Sequence, residues 1–278
     1  MARYLLCVGI NAYPNAPLRG CVNDAMNWMS LLGENGYAGS MLLDESATKQ
    51  NIMEELDGIV HRARFGDRIM FTYSGHGTWM PDMSGDEPDG RDEALCPIDY
   101  DAWGNGANLI VDDELEKLFS LRRFGVRVTI VSDSCHSGSV SRLVGPHMVL
   151  VRNSANSMAW WERRPRFIPP GTFLEDDALQ RARTVDRRES ATMPRNSTGT
   201  VLLSGCDDEE YSYDAFIDGV PQGAFSATAI KAYRALEEER GLVTYSQWHR
   251  RVRTMLPDNN FPQSPQMYAS LWQRRWSL

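Results

Sequence analysis

Three stretches of this chain, Tyr4 to Ile10, Arg68 to Tyr73 and Val126 to Val131, are rich in apolar and β-branched residues with little alternation of polar and apolar positions. A strand built from such a run cannot leave one face in water, so each is expected to be buried on both faces, as in a parallel sheet covered by helices. The segments between them have helical spacing. Asp24 to Glu34 places Ala25, Trp28, Met29 and Leu32 on one face, with Gly33 and Gly36 as stop signals. Thr48 can cap a second helix carrying Ile52, Leu56 and Ile59, after a short strand over Ser40 to Leu43. Further along, the pattern predicts a helix over Asp112 to Phe119 with acids in its first turn and a strand over Thr200 to Leu203. Helices over Ala224 to Arg240 and Tyr245 to Leu256 and a last strand over Gln266 to Leu271 complete the pattern. Strands alternating with helices put the chain in the α/β class with a mainly parallel sheet.

The 278 residues, 42% hydrophobic and 24% charged, can bury one large core. The formal net charge of -8 argues against the nucleic-acid backbone as a partner. No apolar run approaches the about 18 residues that a membrane-spanning helix needs, and MARYLLCVGI is too short an apolar stretch for a secretion signal. Five cysteines, an odd number without regular spacing, fit a reducing, cytoplasmic setting. Between Ser139 and Thr198 arginines, prolines and small polar residues dominate, and apolar positions are scattered, so this stretch is expected to be a poor core former.

Two of the apolar strands run into polar clusters. One leads into Ser74-Gly75-His76-Gly77, the other into Ser132-Asp133-Ser134-Cys135-His136-Ser137-Gly138. In an open parallel sheet, ligands bind beyond the carboxyl ends of the strands, so adjacent strands would bring His76 and Cys135 to one rim. An imidazole beside a thiol makes a sulfur nucleophile at neutral pH and can then protonate a leaving amine. Glycines beside the histidine let backbone amides approach a substrate, which makes the N–H groups of Gly77 and Cys135 candidate donors to an oxyanion.

These two motifs resemble the paired catalytic motifs of metacaspases and their bacterial relatives, the orthocaspases, and the histidine lies upstream of the cysteine as in caspases, where the separation is about 50 residues. The likeness extends from Gly9-Ile10-Asn11 and Tyr13 through Gly20-Cys21-Val22-Asn23-Asp24 to the block beginning Leu203-Ser204-Gly205-Cys206, and is weakest over about 141–198. It implies a caspase-like three-layer sandwich, a six-stranded mainly parallel sheet with helices on both faces. It also implies a single catalytic domain over 1–278, with a large-subunit-like part (1–140), an arginine-rich linker (141–198) and a small-subunit-like part (199–278). The first strand begins close to Met1, so no prodomain is expected. The implied activity is peptide-bond hydrolysis through a thioester on Cys135, with His76 as base and His136 structural.

The resemblance also assigns Cys21, Asp24, Ser74 and Asp133 to the primary specificity pocket. An acidic pocket of this kind takes Arg or Lys and rejects Asp. The alternative role for Asp24 is a helix cap. An Arg-directed peptidase would meet its own linker, where Arg142, Arg152, Arg163, Arg164, Arg166, Arg187, Arg188 and Arg195 are all eligible for self-cleavage. In metacaspases, acids corresponding to Asp92, Asp112 and Asp113 bind an activating calcium. Here Arg142 falls at a further family ligand position, and a cation there disfavours calcium, so none is expected to be required. The expected partners are polypeptides, with no nucleic acid and no membrane, and the chain is expected to be a monomer. Two alternatives are a catalytically silent caspase-like adaptor and a calcium-responsive binding protein.

Overall fold

The computed structural model describes residues 1–82, 90–102, 105–135, 147–152, 158–175, 199–207 and 210–278, with the backbone alone for 147–152 and 158–162. His136, Arg142, Arg187, Arg188, Arg195 and most of the acidic stretch after Asp82 lie outside these residues.

The central sheet has six strands. β1 (Arg3–Gly9) is flanked by β2 (Ala38–Leu43) and β3 (Arg68–Ser74), then follow β7 (Arg127–Asp133), β10 (Thr200–Ser204) and β13 (Gln266–Tyr268). Every neighbouring pair is parallel except β10 with β13. The predicted double-sided burial follows directly. Leu6, Val8, Ile69, Phe71 and Val128 pack against α2 (Lys49–Arg62) and α3 (Asp112–Ser120). On the other face, Leu5, Cys7, Met70, Val131, Val201 and Leu203 meet α1 (Cys21–Glu34), α4 (Ala224–Arg240) and α5 (Tyr245–Arg253). Helix α2 begins where expected, with Thr48 accepting from the Asn51 N–H at 3.2 Å.

Three differences from the sequence expectation have local causes. Helix α5 ends at Arg253, where the Thr254 and Met255 N–H groups bond three residues back in tighter turns and Pro257 follows shortly after. The last strand stops at Tyr268, and the chain then turns outward, leaving Leu271 exposed. The largest difference lies in the arginine-rich stretch. It contributes β8 (His147–Arg152) and β9 (Met158–Pro165), which join β11 (Tyr213–Ile217) and β12 (Val220–Gly223) in a second sheet of order β12-β11-β9-β8. Ile168 and Phe173, just beyond β9, are buried in the main core. A third, small sheet pairs β4 (Gly77–Pro81) with β5 (Arg91–Leu95) and β6 (Ile110–Val111).

Candidate active site

Strands β3 and β7 lie side by side in register, with Ser74 opposite Asp133, so the turns that follow them open at the same edge of the sheet. His76 and Cys135 stand in those two turns, both buried. Two tyrosines hold the histidine turn. The Tyr13 hydroxyl accepts the His76 backbone N–H at 3.0 Å and donates to the Cys96 carbonyl at 2.7 Å, while the Tyr73 hydroxyl lies 2.9 Å from the His76 carbonyl. The Tyr13 ring packs on the His76 imidazole at 4.6 Å between centroids. Gly75 is required here, because a β-carbon would sit 2.6 Å from the Tyr13 oxygen and 2.7 Å from that of Tyr73. Tyr13 was visible in the sequence only as part of the family likeness, without a role.

The imidazole has one tautomer available to it. Its Nε2 is 2.7 Å from the Ala16 carbonyl, which can only accept, so Nε2 carries the proton. Nδ1 therefore holds the lone pair, and it is buried without a hydrogen-bond partner. Burial, the largest influence, together with the nearby Arg166 cation, pushes the His76 pKa down to about 4, so the ring is neutral at pH 7. The stability consequence has a definite sign. Below about 6.5 the unfolded chain takes up a proton that the folded chain refuses, so stability should fall as pH drops from about 6.5 toward 4, by on the order of 3 kcal/mol in total. Replacing His76→Asn should remove that component, so the variant's melting temperature should change less than the wild type's between pH 7 and 4.5.

Cys135 faces the loop before β11. Its sulfur accepts from the Ser212 N–H and lies 3.4 Å from the Ser212 carbonyl. No hydrogen bond joins Cys135 to His76 among the described residues. The Cys206 thiol adjoins Cys135, and that contact together with burial raises its pKa well above the ordinary thiol value, so it stays protonated.

The acids form a closed pocket. Asp24 on α1, Asp133 at the end of β7 and Asp214 on β11 surround the fully buried guanidinium of Arg166 at 2.6, 3.1 and 3.2 Å. Asp24 is not a helix cap. Its carboxylate accepts from the Gly223 N–H at 2.9 Å and from Arg166, and the α1 N-cap, Gly20, makes no side-chain capping bond. Three carboxyl groups around one cation leave an excess of negative charge. Burial first, and the neighbouring Asp133 in addition, push the Asp24 pKa up to about 7 against the pull of Arg166. Gly223 closes the pocket, since a β-carbon there would collide with Asp133 and Arg166. Cys21 is buried at the start of α1, and desolvation raises its thiol pKa well above normal. Ser74 is buried beside the pocket, where its backbone carbonyl accepts from the Ile10 N–H at 3.0 Å. Asp214 and Arg166 were not singled out by sequence reasoning as a pair, and no spacing connects them to residues 24 and 133.

The backbone of Arg166 is held as closely as its side chain. Its carbonyl accepts from the Gly77 N–H at 3.0 Å and the Cys135 N–H at 3.1 Å, and its own N–H donates to the Ser212 carbonyl at 2.9 Å. The two amides flanking the thiol and the imidazole thus converge on one carbonyl oxygen, the arrangement that stabilises charge developing on that oxygen.

Asp92, Asp112 and Asp113 lie in the small sheet and at the start of α3, near one another by strand register. No group of three or more His, Cys, Asp or Glu side chains that could hold a metal occurs among the described residues. Most of the acidic stretch after Asp82, and the residues that follow Cys135, lie outside those described. A large open groove of about 1420 Å³ lies at the opposite, amino-terminal ends of the central strands and is lined by no cysteine or histidine, so size alone does not mark the chemistry.

Fold and site define a caspase-like cysteine peptidase. Residues 3–144 match the family model described as metacaspase, peptidase C14 domain. Over 96% of its length the chain is 31% identical to Metacaspase-1B of Aspergillus fumigatus, covering 69% of that protein, and 31% identical to Metacaspase-1 of Emericella nidulans, covering 70%. A crystal structure of a protein from Geobacter sulfurreducens superposes with a TM-score of 0.69 at 26% identity, over 99% of this chain and 97% of that one. The chain belongs to the metacaspase family, and with it to the cysteine-type peptidases. No helix among the described residues is long and apolar enough to cross a membrane.

Proposed function

We propose that the chain is a cysteine endopeptidase that cuts after Arg or Lys, with Cys135 as nucleophile, His76 as base and the Gly77 and Cys135 amides as the oxyanion hole. The observation that carries this is the placement of Arg166, whose guanidinium fills a pocket of three acids while its carbonyl oxygen receives those two amides. A substrate arginine bound in the same way would set its carbonyl carbon before the thiol. His76 Nδ1 takes the thiol proton, sulfur adds to the carbonyl, and the oxyanion is held by the two N–H groups. The C–N bond then breaks, the amine leaves with the proton from Nδ1, and water hydrolyses the thioester with Nδ1 again as base. An Asp side chain in this pocket would face carboxylates with no cation to pair, so Asp substrates are rejected. Self-processing in the arginine-rich stretch follows from the same preference. The edge strand β13 spans only three residues and offers little backbone for pairing with a second copy, so the enzyme is taken to act as a monomer.

Short fluorogenic peptides ending in Arg, Lys or Asp before the reporter test the proposal. Arg and Lys peptides should be turned over and Asp peptides should not, and Cys135→Ala should abolish turnover. Hydrolysis of Asp peptides alone would overturn the specificity, and an active Cys135→Ala protein would overturn the mechanism. Calcium should change the rate by less than about twofold. An adaptor would show no hydrolysis, yet both His76 and Cys135 are present.

A further inference from the structure

The segment Arg164 to Ile168 lies in the cleft in the manner of a bound peptide. On one side of the Arg166–Phe167 bond, β9 pairs antiparallel with β11, with Tyr213 opposite Pro165 and Asp214 opposite Arg164. Arg164 also donates to the Pro17 carbonyl at 2.7 Å. At Arg166, side chain, carbonyl and N–H are all engaged. Beyond the bond, the Ile168 N–H donates to the Gly77 carbonyl at 3.0 Å, its carbonyl accepts from the Thr78 hydroxyl at 2.7 Å, and the Phe167 ring packs on Tyr211 at 5.9 Å. A purely structural arginine would need the three acids alone. Nothing in such a role would require its carbonyl to meet the amide of Cys135, or the chain to be gripped on both sides of that carbonyl.

We infer that residues 164–168 are a resident substrate of this enzyme, that Arg166–Phe167 is the bond it cuts in its own chain, and that the segment keeps other peptides out while it occupies the cleft. The inference rests on the Arg-directed activity proposed above. It also extends the recognised sequence beyond one residue, to a basic residue two positions before the cut arginine and apolar residues after the bond. In the reaction the Cys135 sulfur bonds to the Arg166 carbonyl carbon, the C–N bond to Phe167 breaks, the Phe167 amine takes the proton from His76, and water releases Arg166 as a carboxylate. Cutting alone does not clear the cleft, because β9 remains paired with β11 and Ile168 with Gly77. A tethered occupant acts at an effective concentration of about a millimolar, so added peptide at tens of micromolar should be hydrolysed about tenfold more slowly than in its absence.

The full-length chain is incubated at neutral pH and its fragments weighed by mass spectrometry, beside Cys135→Ala and Arg166→Ala. Wild type should yield one fragment ending at Arg166 and another beginning at Phe167, and neither variant should. Arg166→Ala should hydrolyse an added Arg peptide about tenfold faster than uncut wild type, and should cut a synthetic peptide of residues 163–170 between its Arg and Phe. If Arg166→Ala fails to fold, the wild-type fragments alone decide. An Arg166–Phe167 bond that stays intact overturns the inference. When the same protein still hydrolyses Arg peptides, the Arg-directed activity survives that result; when neither wild type nor Arg166→Ala hydrolyses them, that activity fails as well.

Discussion

His76→Ala should lower kcat/KM for an Arg peptide by about 10²- to 10⁴-fold, with KM nearly unchanged, because the lost group acts on the proton in flight rather than on bound substrate. The geometry makes this sharper than a general rule about histidines. Nε2 is committed to the Ala16 carbonyl, and Nδ1 is the ring atom left with a lone pair inside the site. A steady-state assay at pH 7 checks it. A variant that keeps near wild-type kcat while KM rises would show that His76 positions substrate instead.

The second large effect is expected from Asp24→Asn, read as a split between KM and kcat. The asparagine oxygen can still accept from Gly223, but its amide would then point N–H groups at the guanidinium that now sits 2.6 Å from a carboxylate oxygen. Removing one partner of a buried hydrogen-bonded charge pair costs about 2–5 kcal/mol, so in an Arg166→Ala background, where the resident segment does not compete, KM for Arg peptides should rise by about 30-fold or more while kcat changes far less. A parallel measurement with Lys peptides should show the same direction. An unchanged KM for both would remove Asp24 from the pocket.

Both predictions concern residues that the sequence made visible, and the reason is physical. Strands buried on both faces must be almost wholly apolar, so the polar, glycine-containing turns after β3 and β7 stand out against them. The pocket was less legible. Asp24, Asp133 and Asp214 are far apart in the chain and converge only through the β7 end, the α1 start and the second sheet. Arg166 was one eligible arginine among eight, because what distinguishes it is the pairing of β9 with β11. That pairing is made largely by backbone hydrogen bonds, which leave no hydrophobic period to read, and so a stretch expected to be a bare linker proved to carry two strands. The termini of α5 and β13 were missed by a few residues for the usual reason that turns compete locally with regular structure.

Asp133 has a second duty that bears on how the proposed preference for basic residues could drift. One of its oxygens accepts the Ser226 N–H at 2.8 Å, in the first turn of α4, whose N-cap residue Gly223 has no side chain to offer. The carboxylate that pairs with the Arg166 guanidinium therefore also satisfies a first-turn donor of a core helix. A substitution that retuned the enzyme toward acidic peptides would uncap that helix in the same stroke. A lineage moving in that direction would have to acquire a replacement cap beforehand, which would make the proposed preference for basic residues hard to lose by single steps.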